Sequence, residues 1–144
     1  MNTVRQLLKM KGNDVWTVPP ETTILEGLKL MADKGTGSLV IAEGEKVLGI
    51  FTERDYARKV GQDGRTPGEI RVSEVMTSSL ITVTPNQSVR ECMVLMTDNH
   101  IRHLPVMENG RMIGIISIGD VVKDLIEELE FLVDQLKNYI NGLR

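Results

Sequence analysis

An internal repeat is the feature that most constrains how this chain folds. The segment 15–60 aligns without gaps on the segment 80–125, at an offset of 65 residues. The identical pairs are spread along the whole alignment: Thr17/Thr82, Val18/Val83, Pro20/Pro85, Glu26/Glu91, Leu30/Leu95, Met31/Met96, Asp33/Asp98, Leu39/Leu104, Glu43/Glu108, Gly49/Gly114, Ile50/Ile115 and Asp55/Asp120. Such self-similarity means that one structural unit occurs twice and that the copies bury their hydrophobic faces together. We therefore expect two packed units related by a pseudo-twofold axis.

Each copy begins with a short strand and a helix. The strand, 16–18 or 81–83, stops before a proline that a central strand would exclude. The helix is predicted because apolar residues recur at helical spacing after Thr23 or Ser88, which are suitable N-caps.

The second half of each copy is predicted to be a hairpin followed by another helix. Asn109-Gly110 favours a type I′ turn, because both central residues of that turn have positive φ. The second helix begins at Thr52 or Ser117. The hairpin strands are 38–42 with 46–51 and 103–107 with 111–117. The sequence thus predicts a mixed α/β (α+β) protein of two β-α-β-β-α repeats, at 3–65 and 72–125, with a C-terminal helical extension at 126–144.

Charge and cysteine content narrow the class of protein. The net charge of −3 argues against a broad non-specific hold on nucleic acid, which needs clustered Lys and Arg. Cys92 is the only cysteine, so no internal disulfide forms and a reducing compartment is favoured. No apolar run is long enough for a signal peptide or a membrane span. We expect a cytoplasmic protein, although an organelle leader that had been removed would leave no trace.

Both copies carry Thr/Ser-x-x-Asp after the third strand, at Thr52–Asp55 and Ser117–Asp120. As a capping box, the hydroxyl accepts from the third helical N–H and the carboxylate accepts from the cap's own N–H, with no ligand needed. The same geometry suits a nucleotide, because a helix N-terminus attracts anions and a carboxylate accepts hydrogen bonds from ribose hydroxyls. The two interpretations are compatible. Gly49 and Gly114, just before the motif, would let a ligand or neighbouring backbone approach closely.

The doubled motif belongs to a wider pattern. Each copy reads Gly-x-x-Thr/Ser-x-x-Asp, Val72-Ser73-Glu74-Val75-Met76-Thr77 leads into the second copy, and Arg102-His103-Leu104-Pro105-Val106 lies in its second strand. From about Val4 to Leu125 the chain resembles tandem cystathionine-β-synthase domains, called a CBS pair or Bateman module. The resemblance implies a regulatory module that binds an adenosine-containing ligand, such as AMP, ADP, ATP, S-adenosylmethionine or NAD, and modulates a partner protein.

The resemblance also implies roles for individual residues. Asp55 and Asp120 would hold ribose hydroxyls, while Thr52 and Ser117 would contact phosphate. Arg54, Arg102 and His103 would be the cationic partners for phosphate. The walls of the adenine pocket would be formed by residues of the first two strands of each copy: Thr17, Val18, Pro19, Ser38, Leu39, Thr82, Val83, Thr84, Leu104 and Pro105.

The two copies differ at the motif. Glu53-Arg54 of the first copy is replaced by Ile118-Gly119 in the second, which removes an arginine from the helix start. Val40 also stands where Pro105 does. We therefore expect unequal occupancy of the two sites.

Few other residues suggest chemistry. His100 and His103 lack Cys, Asp or Glu partners at ligand spacing, so no metal site is predicted, and His100 is more simply a helix end. Cys92 is interpreted as a packing residue, and Trp16 as a core or interface residue rather than an adenine stack. No nucleophile, base and orienting group occur together at recognisable spacing, so we do not expect an enzyme.

A heptad pattern continues beyond the second copy. We call its residues the apolar stripe: Val122, Leu125, Leu129, Leu132, Leu136, Tyr139 and Leu143 at the a and d positions, with Ile126, Val133 and Ile140 beside them. The apolar stripe predicts a homodimer interface, with packing on its own module as the alternative. It also supports a second hypothesis for function, an interaction module with purely structural repeats that acts, for example, on a redox enzyme.

Overall fold

The computed structural model describes residues 2–61 and 64–143. Its elements confirm the mixed α/β class: α1 (Val4–Lys11), β1 (Thr17–Val18), α2 (Ile24–Lys34), β2 (Ser38–Glu43), β3 (Lys46–Thr52), α3 (Glu53–Lys59), α4 (Val72–Val75), α5 (Val89–Asn99), β4 (His103–Glu108), β5 (Arg111–Ser117) and α6 (Ile118–Gly142).

The chain forms two compact units. The first unit is Val15–Leu80, and the second unit joins the segment from Ile81 onward to the residues before Val15. The predicted bounds, 3–65 and 72–125, group α1 with the first repeat and α4 with the second, whereas the packing groups them the other way. Residues 62, 63 and 144 of the predicted bounds lie outside the described residues.

The first unit contains one three-stranded sheet in the order β1-β2-β3. β1 runs parallel to β2, with Thr17 opposite Val40, and β2 runs antiparallel to β3. The core is formed by Ile24, Met31, Leu39, Ile41, Phe51, Ile70, Val72 and Val75. Since the last three of these follow the repeat in sequence, the segment leading into and through α4 completes this core.

In the second unit, α1 supplies the corresponding missing part of the core. Val4, Leu7 and Leu8 of α1 pack with Val83, Val89, Cys92, Met96, Leu104, Val106, Ile116 and Val121. Backbone hydrogen bonds fix the start of α1, since Val4 N–H donates to Gln87 O at 2.9 Å and Val89 N–H donates to Asn2 O at 3.0 Å. Thr3 and Gln6 form a capping box on α1.

The predicted strand 81–83 is wrong in extent. The second unit has a two-stranded sheet, β4-β5, with Val83 joined to it only by an isolated parallel bridge to Val106. In the first unit the N–H of Val40 donates to Trp16 O at 2.9 Å. Pro105 occupies the matching position and has no N–H, so the carbonyl of Ile81 lacks that partner and the ladder shortens.

The helix caps and the hairpin turn confirm the local predictions. Thr23 and Ser88 cap α2 and α5 by accepting from Glu26 N–H and Glu91 N–H. Asn109 and Gly110 have φ of 53° and 77°, as a type I′ turn requires. The repeats also share a register shift, between Ile41 and Ala42 in one hairpin and at the matching position, after Val106, in the other.

The predicted C-terminal helix forms as α6, which has 25 residues. Eight residues of the apolar stripe, from Ile126 to Leu143, are between 45% and 70% exposed. Packing of the whole stripe on its own module, the alternative considered above, is therefore wrong. Within the described ranges, no helix combines the length and apolar character needed to cross a membrane.

Gly49 and Gly114 lie where another part of the chain approaches the third strand of each repeat. A Cβ on Gly49 would lie 2.7 Å from Thr77 O, and Thr77 N–H donates to Ile50 O at 2.8 Å. A Cβ on Gly114 would lie 2.8 Å from Cδ2 of Leu8. The first neighbour is a hydrogen-bonded backbone and the second is the end of a flexible side chain.

We therefore expect the two glycines to respond differently to alanine. Gly49→Ala should lower the free energy of unfolding by about 1–3 kcal/mol, because the backbone of Thr77 must shift. Gly114→Ala should change it by less than about 1 kcal/mol, because Leu8 can change rotamer. Urea denaturation measures both, and equal losses would contradict this account.

Candidate functional site

Both predicted motifs form complete capping boxes at a strand-to-helix junction. Thr52 Oγ1 accepts from Asp55 N–H at 3.1 Å, and Ser117 Oγ accepts from Asp120 N–H at 3.2 Å. In return, each aspartate accepts the cap's backbone N–H, at 3.0 Å in α3 and 2.8 Å in α6. The purely structural interpretation of the motif is therefore satisfied twice.

Another early amide of each helix is also already used. Glu53 N–H donates to Gly37 O at 3.1 Å, and Ile118 N–H donates to Arg102 O at 2.8 Å. Since the third helical amide donates to the cap hydroxyl, an anion at either helix start would find fewer free N–H groups than the motif alone suggests.

Asp55 is buried and has donors on both carboxylate oxygens. Oδ2 accepts from the N–H and the hydroxyl of Thr52, the latter at 3.2 Å. Oδ1 accepts from the Thr77 hydroxyl at 3.1 Å and lies 3.2 Å from Nζ of Lys59. Only 11% of the side chain is exposed. This carboxylate therefore already serves to join α3 to the segment after it.

Asp120 has the same cap geometry and a different set of neighbours. Oδ2 accepts from Ser117 N–H and from Lys11 Nζ at 2.6 Å. Oδ1 takes part in no hydrogen bond with the part of the chain that the structure describes, and 23% of the side chain is exposed. Asp120 thus retains an oxygen with which it can accept from an added hydroxyl.

Lys11 holds Asp120 in its charged form. Burial acts to raise the pKa of Asp120, but the hydrogen bonds from Lys11 and Ser117 and the positive charge of Lys11 outweigh it. The pKa of this carboxyl therefore lies below its usual value of 3.8. Lys11 Nζ also donates to Ile115 O at 2.8 Å, so the lysine bridges α1 and the end of β5.

Other predicted site residues divide between core and surface. The side chains of Leu39, Leu104 and Val83 are at most 1% exposed and belong to the cores, so only their backbone can border a ligand. Ser38 and Pro105 are also buried, Val18 is half-buried, and four are exposed: Thr17, Pro19, Thr82 and Thr84. The residues predicted for the adenine wall thus differ in exposure, and their role toward a ligand stays a prediction.

The predicted cationic residues flank the motifs. His103 is half-buried and opposite Ser117 in the β4-β5 register, while the equivalent pair in the first unit is Ser38 opposite Thr52. Arg54 is half-buried in the first turn of α3, and Arg102 is exposed just before β4. Each unit therefore has its own predicted cationic residues at the end of the hairpin that carries the motif.

Sequence reasoning missed Lys11, Lys59 and Thr77. Lys59 lies four residues after Asp55 on α3, a spacing that predicts an ion pair. Lys11 lies 109 residues before Asp120, so no local spacing indicates their contact. The Thr3-x-x-Gln6 box and the apolar pair Leu7-Leu8 were signals for α1 that could have been used.

The remaining candidates have structural positions. Cys92 is fully buried, as predicted, and this burial, together with the charge of Glu91, raises the pKa of its thiol to about 11. His100 is the C-cap of α5 in the left-handed conformation, which confirms the helix-end interpretation. Among the residues that the structure describes, no three His, Cys, Asp or Glu side chains are grouped as metal ligands would be.

A family model for the CBS domain matches the chain twice, at residues 4–61 and 72–127. The chain belongs to the CBS-domain family. CBS domain-containing protein CBSX3, mitochondrial, from Arabidopsis thaliana is 39% identical in an alignment of 150 positions, gaps included, that covers 97% of this chain and 72% of that protein. CBS pairs are regulatory, ligand-binding modules.

Solved structures agree with this fold. A CBS-domain protein from Burkholderia ambifaria MC40-6 is 47% identical, with a TM-score of 0.85 over 88% of this chain and 95% of its own. The CBS domain pair of protein MJ0100 was solved in complex with 5′-methylthioadenosine and S-adenosyl-L-methionine. It is 23% identical, with a TM-score of 0.77 over 89% of this chain and 98% of its own, a likeness that bears on the fold alone.

The Lys11–Asp120 pair should make stability depend on pH. Lys11→Met should lower the free energy of unfolding by about 1–2 kcal/mol at pH 7, since it removes a charged hydrogen bond. Because the folded pKa of Asp120 is lowered, the pair's contribution is present at neutral pH and is lost as pH falls from about 4 through the folded pKa.

Denaturation of Lys11→Met and wild type at pH 7 and pH 2.5 measures this effect. Lys9→Met on the same helix is the control, and it should show no such dependence because Lys9, unlike Lys11, forms no ion pair with the described residues. A gap between Lys11→Met and wild type that stays constant between the two pH values would contradict the assignment.

Proposed function

We propose that the chain is a regulatory module that binds an adenosine-containing ligand, with Asp120 in the second unit as the principal ribose contact. The observation that carries the proposal is the open Oδ1 of Asp120, half-buried at the start of α6 and held charged by Lys11. A carboxylate with a free oxygen accepts hydrogen bonds from adjacent hydroxyls more strongly than a neutral group does.

The surroundings of Asp120 favour a ligand that carries negative charge as well as a ribose. Lys11 lies 2.6 Å from Oδ2, and His103 stands opposite Ser117 in the sheet register. The N-terminal end of α6 adds positive dipole to this region. AMP, ADP and ATP fit that chemistry best, while S-adenosylmethionine and NAD share the adenosine part and remain in the proposal.

The first unit is less ready to bind such a ligand. Both oxygens of Asp55 already have donors, so a ribose would have to displace Thr77 or Lys59. Displacement of a hydrogen bond to a charged group costs about 1.5–3 kcal/mol. We therefore propose unequal occupancy, with the second unit binding first.

The remaining parts of the proposal follow from the family and the sequence. The module is not an enzyme, it modulates a partner protein, and it forms a homodimer. Its ligand acts as a signal rather than as a catalytic cofactor. A cytoplasmic location remains a prediction, and the Arabidopsis relative carries the word mitochondrial in its name.

Ligand binding should depend mainly on Asp120. Asp120→Ala should weaken binding of AMP, ATP or the other candidates by about 10-fold or more, because charged hydrogen bonds to the ribose are lost. Wild type at about 100 times the dissociation constant should gain roughly 2.7 kcal/mol of stability. Calorimetric titration and thermal unfolding measure these two effects.

Two variants provide the comparison. Asp134→Ala removes an exposed carboxylate from the same helix and should leave binding unchanged. Asp55→Asn should lower stability more than it lowers affinity, because its oxygens have protein donors. Unaltered affinity in Asp120→Ala would refute the site, and failure of every candidate to bind wild type would refute the function.

A second candidate function is supported by the exposed apolar stripe of α6. An interaction module would act on a partner, such as a redox enzyme, with capping boxes that serve only the fold. Deletion of 131–144 separates the two functions. Lost partner binding with nucleotide binding intact would favour the interaction module, whereas partner binding that responds to nucleotide and survives the deletion would favour the ligand sensor.

A further inference from the structure

The stripe side chains on α6 from Ile126 onward have no cover within the described part of the chain. Leu129, Leu136, Tyr139 and Leu143 are 63%, 59%, 66% and 70% exposed. A contiguous apolar strip of this kind on one helix is a recognition surface rather than the scattered exposure of ordinary surfaces.

The width of the stripe favours one way of pairing helices. In the heptad, Ile126, Val133 and Ile140 occupy e positions, while the g positions hold Glu128 and Gln135. In a parallel pair, e residues lie beside g residues of the other helix, which would place Val133 against a glutamate. In an antiparallel pair, e residues lie beside e residues, so the apolar side chains extend the core.

The charges of α6 favour the same arrangement. Residues 126–134 carry four carboxylates, Glu127, Glu128, Glu130 and Asp134, whereas residues 135–143 carry Lys137 as their only charged side chain. A parallel pair would bring the two acidic halves together. In an antiparallel pair, the acidic half of each helix lies beside the half of the other helix that carries Lys137. The two helix dipoles then point in opposite directions, which is also favourable.

We infer that α6 packs against α6 of a second copy of this chain as an antiparallel helix pair centred near Asp134. The heptad fixes the register. Leu132 packs against Leu136 of the second copy, Leu129 against its Tyr139, and Leu125 against its Leu143.

The e positions flank that core in a matching way. Val133 meets Val133 of the second copy across the twofold axis, and Ile126 meets its Ile140. At about 60–90 Å² for each apolar side chain, the pair would bury on the order of 1,000–1,600 Å² in total. That area approaches the roughly 1,200–2,000 Å² of stable interfaces.

Disulfide trapping tests the orientation in the full chain. Val133→Cys should form a self-linked dimer under mild oxidation. Ile126→Cys and Ile140→Cys should each link poorly alone and efficiently when the two variants are mixed. The natural Cys92 does not interfere, because it is fully buried.

Leu129→Cys distinguishes the parallel alternative, in which identical a positions face each other. Efficient self-linking of Leu129→Cys, with no cross-link between Ile126→Cys and Ile140→Cys, would overturn the antiparallel pair. Cross-linking only between Ile126→Cys and Ile140→Cys, together with self-linked Val133→Cys, would support it.

Light scattering tests the association itself. The wild type should have about twice the chain mass of 16.1 kDa. Leu136→Glu should raise the dimer dissociation constant by at least about 30-fold, as expected for a central interface residue. Asn141→Glu adds the same charge at the f position, away from the stripe, and should leave the mass unchanged.

Circular dichroism and thermal unfolding show whether Leu136→Glu remains folded. A wild type that is monomeric at micromolar concentration would overturn the inference, and so would a dimer that Leu136→Glu and Asn141→Glu weaken equally. A monomeric wild type would leave the stripe exposed to a partner of a different kind.

Discussion

Both units depend on the hydrogen bonds that each capping-box aspartate accepts from a segment outside the β-α-β-β-α pattern. Asp55 binds Thr77, and Asp120 binds Lys11. A carboxylate that is partly or fully withdrawn from water is costly without donors, so each aspartate is stabilised by its segment. The segment of the first unit brings Val72 and Val75 into the core, and that of the second unit brings Val4 and Leu7. Each segment also passes close to the glycine that both copies carry in the third strand. The same segment therefore supplies both the hydrogen-bond donors for the aspartate and the apolar side chains that complete the core.

The difference between the two sites arises in the residues that contact the motif and not in the capping box itself. Thr52–Asp55 and Ser117–Asp120 have nearly the same capping geometry. In the first unit, the Thr77 hydroxyl and Lys59 supply donors to the second carboxylate oxygen, whereas in the second unit Lys11 bonds only the oxygen that already accepts from Ser117. The repeat therefore gives both aspartates the same backbone setting. The contacts around it occupy both carboxylate oxygens of Asp55, whereas Oδ1 of Asp120 can still accept a hydrogen bond.

The sequence predicted most local structure because repeat, cap and turn signals are short-range. It failed where a distant residue decides the outcome. Pro105 shortens the ladder at Val83, which the alignment with Val40 could have indicated, whereas the Lys11 contact depends on chain folding over 109 residues. For the adenine wall, the sequence could not separate core-facing from outward-facing side chains, because Ser38–Ile41 are buried in succession and the two-residue alternation is absent there.

The two proposals share one element, α6. Asp120 lies in its first turn, and the part of the apolar stripe from Ile126 onward lies in its C-terminal two-thirds, so one continuous helix of about 37 Å joins the open carboxylate to the proposed dimer seam. A ligand that binds at Asp120 can alter self-association only if it has different affinities for the states of α6 that differ at the seam. Lys11 provides a physical basis for such a difference, because a phosphate that attracts its ammonium group would weaken the bond between α1 and Asp120. The position of α6 relative to α1, rather than a change within the stripe, is then the quantity through which a ligand would act on the dimer.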